Sequence, residues 1–193
     1  METMMEKAPA FDVLSEDEVW RMWQQQEVGF DCLRRGLALW PSDRDIPLLP
    51  LTTRQASADE VQVLHWIFED FPGCDLQIAL GQSSGNVVAV QCKATTEMKD
   101  KFPETMTLAL IWSEIISLRL YRLPPDMHVL SEAFKVDEVA VAVMGDGFEI
   151  PAPGSYGALG FACWTNQAQI SPAPTWLIDA LRQKPGPTPD KQA

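Results

Sequence analysis

The chain is poor in soft-metal ligands. It has two histidines and four cysteines, Cys32, Cys74, Cys92 and Cys163, the cysteines far apart and without a CxxC pair. A structural zinc site draws on about four such ligands at close spacing, so zinc is not indicated and reduced, mostly buried thiols are expected. Long apolar runs are also missing, since no uncharged stretch approaches the roughly 20 residues that span a bilayer. The segment from Met1 to Ala10 carries Glu2, Glu6 and Lys7, with no apolar signal core or small-residue cleavage pattern. Export is therefore not indicated, and a soluble, cytoplasmic protein is expected. Positive charge is scarce as well: 15 Lys and Arg face 27 Asp and Glu, for a net charge of -12. A phosphate backbone repels such a chain at long range, which disfavours unassisted binding to nucleic acid. Only Arg34 with Arg35, and Arg119 with Arg122, offer a local basic groove, and the plainer reading of both is solvated surface arginine.

A length of 193 residues suits one large domain. Its expected limits are residues 15–182, between a flexible N-terminus (1–14) and a disordered Pro-rich tail (183–193). Ser15 followed three residues later by Glu18 is a capping box, which predicts a helix start; apolar positions then continue to Gly36, with a break near Gly29. Leu37 to Trp40 reads as a short buried strand stopped by Pro41. A second capping box, Ser57 with Glu60, opens a helix that Phe71-Pro72-Gly73 ends. His65 lies inside it, and the residues around it supply no second ligand.

Two strand-like runs, Leu76 to Leu80 and Asn86 to Val90, flank Gly81-Gln-Ser-Ser-Gly85 and predict a hairpin. Lys93 to Lys101 reads as a charged loop or short helix, and Met106 to Ile116 fits strand and helix equally. Leu118 to Leu123 alternates as a strand ended by Pro124-Pro125. Val136 to Met144, the turn Gly145-Asp146-Gly147 and Phe148 to Ile150 predict another hairpin, and Trp176 to Leu181 a terminal helix.

Several segments in order resemble the primase-polymerase domain of the archaeo-eukaryotic primase superfamily, found in plasmid, phage and other mobile-element replication proteins. They are Gly36-Leu-Ala-Leu-Trp40-Pro41, the helix from Trp66 to Pro72, and Gly81-Gln-Ser-Ser84-Gly85. Further along come Leu118-Arg-Leu-Tyr-Arg-Leu-Pro124, Gly145-Asp-Gly147, Pro151-Ala-Pro153-Gly-Ser155, Gly160-Phe-Ala-Cys-Trp164 and Pro174-Thr-Trp-Leu177. The resemblance covers most of the chain. It implies a single α+β domain of the primase-polymerase type, with mixed and antiparallel sheets flanked by helices.

It also implies a metal site that this chain has lost. Active members hold divalent cations with an Asp-x-Asp pair after the second hairpin strand and a third acidic residue on a later strand, because hard cations need carboxylate oxygens. Here Gln91 and Lys93 stand at the pair, Ala142 at the third acid, and Leu118 at the histidine that contacts phosphate. An amide, an ammonium, a methyl and an isobutyl group cannot bind magnesium, and the lysine opposes it by Coulomb repulsion. A shifted register would bring His128 to the histidine's place, and Asp146 could be offered as a ligand, although Asp before Gly is common in turns for backbone reasons alone.

The expected function is a catalytically inactive primase-polymerase-like module, needing no cofactor, that serves as an accessory or protein-binding component in DNA replication or a mobile element. One alternative keeps the cleft for a nucleotide or a nucleic-acid single strand, using Ser84, Gly85, Lys93, Arg119 and Arg122, with Lys93 as a point charge for phosphate. Another is an active polymerase, dependent on Mg or Mn, that draws carboxylates from Glu97, Asp100, Glu104 or Glu114.

Overall fold

Ser15 and Glu18 cap each other: the Glu18 amide donates to the Ser15 hydroxyl at 3.3 Å, and the Ser15 amide to the Glu18 carboxylate at 2.7 Å. The bonds from the Ser15 side chain and backbone hold the Glu18 carboxyl below its ordinary range. The computed structural model that shows this describes residues 15–44, 46–49, 55–92, 107–112, 116–136, 139–157 and 159–183, with Cys92 in backbone only. The segment expected to be a flexible start (1–14), all but the first residue of the expected Pro-rich tail (183–193) and the charged segment from Lys93 to Lys101 lie outside these residues.

Helix α1 (Glu16–Arg34) runs through Gly29 without the expected break. A Cβ at Gly29 would stand 3.3 Å from Val63 and 3.4 Å from Leu76, so this glycine allows close packing and does not interrupt the helix. Strand β1 (Ala38–Asp43) likewise passes through Pro41. The Pro41 carbonyl accepts from the Leu48 amide on the side of β2 (Ile46–Pro47), so the missing N–H faces that way too and costs the opposite ladder nothing. Helix α2 (Glu60–His65), extended by a wider turn (Trp66–Asp70), is capped by Asp59 and not by Ser57. The Asp59 carboxylate accepts from the Val61 and Gln62 amides, whereas Ser57 is bridged to Leu39 through its backbone.

The remaining elements are β3 (Asp75–Ala79), β4 (Val87–Cys92), β5 (Ala109–Trp112), β6 (Ile116–Arg122), β7 (Ser131–Val136) and β8 (Val139–Met144). After them come β9 (Glu149–Pro151), β10 (Tyr156–Gly157), β11 (Gly160–Trp164), β12 (Ser171–Pro172) and α3 (Thr175–Arg182). They make a mixed α+β fold. One sheet has the order β2-β1-β3-β9, and the other β10-β11-β5-β6-β4-β8-β7 with β12 beside β6; every pairing is antiparallel except β12 with β6.

Neither expected hairpin forms. The turn at Gly81 carries the chain from β3 in the first sheet to β4 in the second, and the turn at Gly145-Asp146-Gly147 carries it back from β8 to β9. Because β3 pairs with β9 and β4 with β8, the four strands make one long two-stranded ribbon that changes sheets at these turns. The two turns touch: a Cβ at Gly81, whose φ is +73°, would overlap Asp146, so only glycine fits there. Turn residues marked where each strand ends but not the sheet change.

One core joins α1, α2, β1 and β3 to one face of β4, β5 and β6, through Met22, Ile67, Ile78, Leu110, Leu118 and Leu120 among others. A second covers the other face, where α3 lays Leu177 against Val90, Tyr121 and Val143. No helix among the described residues is long and apolar enough to cross a membrane.

Candidate functional site

Three of the four positions that the family resemblance marks as replaced fall in one row. Gln91 on β4 pairs with Leu118 on β6 and with Ala142 on β8. Directly paired residues of antiparallel strands point to the same face, so the row presents an isobutyl group, an amide and a methyl group side by side. Leu118 is fully buried in the first core, and Gln91 and Ala142 are half-buried. Lys93 lies outside the described residues, as do Glu97, Asp100, Glu104 and Glu114. Among the described residues no three His, Cys, Asp or Glu side chains come together as ligands for a metal ion.

Of the remaining candidates, Arg119 pairs with Val90 beside the row, while Ser84, Gly85 and Arg122 sit at the opposite end of β4 and are committed to internal bonds. The Ser84 hydroxyl is fully buried; it accepts from the Ala38 amide at 2.8 Å and donates to the Ala79 carbonyl, tying the turn to β1 and β3. It has no exposed surface to offer a ligand. Arg122 donates to the Ser84 carbonyl at 3.2 Å and the Gly85 carbonyl at 2.6 Å, so it holds this turn in place. The Asp146 carboxylate accepts from the Gln82 amide at 2.7 Å, and an internal anion thus occupies the mouth of the glycine loop where a phosphate would have to sit. His128 belongs to the same cluster: its Nδ1 lies 3.0 Å from Gln82 Nε2 and 3.8 Å from Asp146, at the far end of β4 from Gln91. Arg119 and Arg122 do not form one basic patch, because residues three apart in a strand emerge on opposite faces.

Arg35 is neither a solvated arginine nor open to nucleic acid. It donates to Asp31 at 2.9 Å, to the Ala168 carbonyl at 2.8 Å and to Gln167 at 2.9 Å, and lies over the Trp164 ring. Burial pulls the Asp31 carboxyl upward, but hydrogen bonds from Arg35 and Trp164 and the charges of Arg35 and Arg34 hold it below its ordinary value. His65 faces Glu69 at 3.0 Å and Asp70 at 3.4 Å. Burial pushes the Cys74 thiol up to about 12 and that of Cys32 higher still, whereas Cys163 is exposed.

A dense polar site around Asp75 was not anticipated. Asp75, 1% exposed, accepts from Arg21 at 3.1 Å, the Arg44 amide at 3.1 Å and the Tyr156 amide at 3.3 Å. Beside it Gln77 donates to Ser42 at 3.2 Å and to the Arg44 carbonyl at 2.7 Å. Ser155 accepts from the Leu76 amide and donates to Gln25. An open cavity of about 340 Å³ lies against this network, lined by Arg21, Asp43, Cys74 and Asp75 among others. The signal available in sequence was a glutamine inside the apolar strand Leu76-Gln77-Ile78, since an amide buried there needs partners. Asp75, Gln77, Ser155, Gln25, Arg21 and Ser42 all have partners, which gives the network a structural role in joining α1, β1, β3 and β10.

No family model matches the chain, and no curated protein matches it either.

Proposed function

We propose that this chain is a catalytically inactive primase-polymerase-like module, an accessory or protein-binding component of a DNA-replication or mobile-element system working in the cytoplasm. The observation that carries this reading is the row Leu118–Gln91–Ala142. The family resemblance marks these positions, in three separate sequence segments, as former metal and phosphate contacts, and they fall directly opposite one another. A shared active site requires that adjacency. The side chains in the row carry no carboxylate, so the positions that should grip a divalent cation have nothing with which to do so.

The same geometry weakens the nucleotide-binding alternative. Ser84 and Arg122 serve the fold, and Asp146 places negative charge in the glycine loop. The test is primer synthesis and extension with Mg and with Mn, together with titration of labelled triphosphate and single-stranded DNA on the wild type and Lys93→Glu. The expected results are no incorporation, and no binding that Lys93→Glu removes, while affinity purification recovers a replication or helicase-type protein. Metal-dependent incorporation would overturn the reading, and triphosphate or single-strand binding lost in Lys93→Glu would replace it with the nucleotide-cleft alternative.

A further inference from the structure

The first turn of α1 lies beside the end of the α2 turn: a Cβ at Gly73 would touch Arg21, Met22 and the Glu18 carbonyl, each at 3.8 to 3.9 Å. Over this junction the helices present apolar side chains to water. Trp20 is 65% exposed, Trp23 55% and Val19 40%, and the Trp23 ring meets Phe68 edge-on at 5.9 Å. The buried face of α1 uses Met22, Gln25, Gly29 and Cys32, so the core does not account for either tryptophan. A covered tryptophan removes roughly 150–250 Å² from water, and tryptophan is over-represented among residues that dominate interfaces.

The rim of this patch is acidic. Glu16 and Asp17 stand in the first turn of α1, Glu69 and Asp70 at the end of the α2 turn, and all four are exposed. The arginine of this helix end, Arg21, is drawn off toward Asp75.

We infer that this α1–α2 face is the docking surface for a basic amphipathic helix of another protein. Its apolar side would cover Trp20, Trp23 and Phe68, and its lysines and arginines would meet Glu16, Asp17, Glu69 and Asp70. This rests on the reading of the chain as a protein-binding module and names the surface that reading requires. The charge selects among occupants. A second copy brought up across a two-fold axis would set one acidic rim against another, and a nucleic-acid strand meets the same repulsion.

The test is fluorescence anisotropy with a labelled helical peptide of leucine and lysine, and its counterpart with glutamate in place of lysine. The lysine peptide is expected to bind saturably and more weakly as salt rises, and the glutamate peptide not to bind. Trp20→Ala/Trp23→Ala should weaken binding by about tenfold or more while its circular dichroism melt stays close to that of the wild type. Leu130→Ala, at a residue 70% exposed outside this patch, should bind like the wild type. Equal binding of the two peptides, or of the wild type and the double variant, would overturn the inference. So would a dimer in sedimentation that the double variant abolishes, or tryptophan quenching by single-stranded DNA. If the peptide fails while a replication protein still copurifies with the double variant, the surface is wrong and the protein-binding reading stands; metal-dependent primer synthesis would sink that reading itself.

Discussion

Two glutamines at the two ends of one β-ribbon stand in opposite chemical settings. Gln77, on β3, is 3% exposed and spends its amide on Ser42 and Arg44, within the network that also buries Asp75. Gln91, on β4, lies between Leu118 and Ala142, with no side-chain hydrogen bond to any described residue. The family resemblance anticipates dense charge at the second place and is silent on the first. Burying polar groups is costly unless they are paired, so the Asp75 end is organised as a joint in the fold. At the Gln91 end the described row sets one amide between an isobutyl and a methyl group, the arrangement that the proposed loss of a metal site requires.

The comparison breaks most easily at Asp75. Asp75→Ala would leave the Arg44 and Tyr156 amides without their acceptor, and we expect a loss of about 3 kcal/mol in urea unfolding. Most of that comes from the orphaned amides, because the half-exposed Arg21 can turn to water. Asp75→Asn keeps an acceptor oxygen and should recover part of the loss. A change under about 0.5 kcal/mol for Asp75→Ala would show that the network is no structural joint, and would return Asp75 to consideration as a functional carboxylate.

The crossover joins the two ends, and Gly81→Ala strikes there. A side chain at φ +73° is strained, and its Cβ would overlap Asp146, so we expect a loss of about 2 kcal/mol or more. If the ribbon is one cooperative unit, near-UV circular dichroism and far-UV melts should shift together. Separate transitions would mean that the two sheets unfold independently.

Much of this fold was legible where its causes are local. The Ser15–Glu18 box predicted the start of α1, Phe71-Pro72-Gly73 the end of the α2 turn, and the alternation from Leu118 to Leu123 the strand β6. Pairing was not legible, because a glycine turn reports that a strand ends and not which sheet the next strand joins; both expected hairpins failed for that reason. Strand β7, Ser131-Glu-Ala-Phe-Lys-Val136, went unrecognised because every other residue faces solvent and two of its six are charged. The positions Gln91, Leu118 and Ala142 could each be named from their own sequence segment, but that their strands pair in one row could not. The Asp75 network could not, because Arg21, Arg44 and Tyr156 meet it only through long-range packing.

The glutamines sharpen the comparison with the smallest effects. Gln77→Leu has nearly the same volume but removes the donor to Ser42 and the Arg44 carbonyl, and should cost about 1 kcal/mol. Gln91→Leu removes an amide that no described side chain engages, beside an existing leucine, and its unfolding free energy should lie within about 0.5 kcal/mol of the wild type. The sign of the second value carries the information. A half-buried amide kept without a hydrogen bond costs stability, so Gln91→Leu should be neutral or slightly stabilising if the row serves only packing. A clear destabilisation in urea would mean that Gln91 is engaged by a group beyond the described residues, and the row would then have to be read as a working polar site.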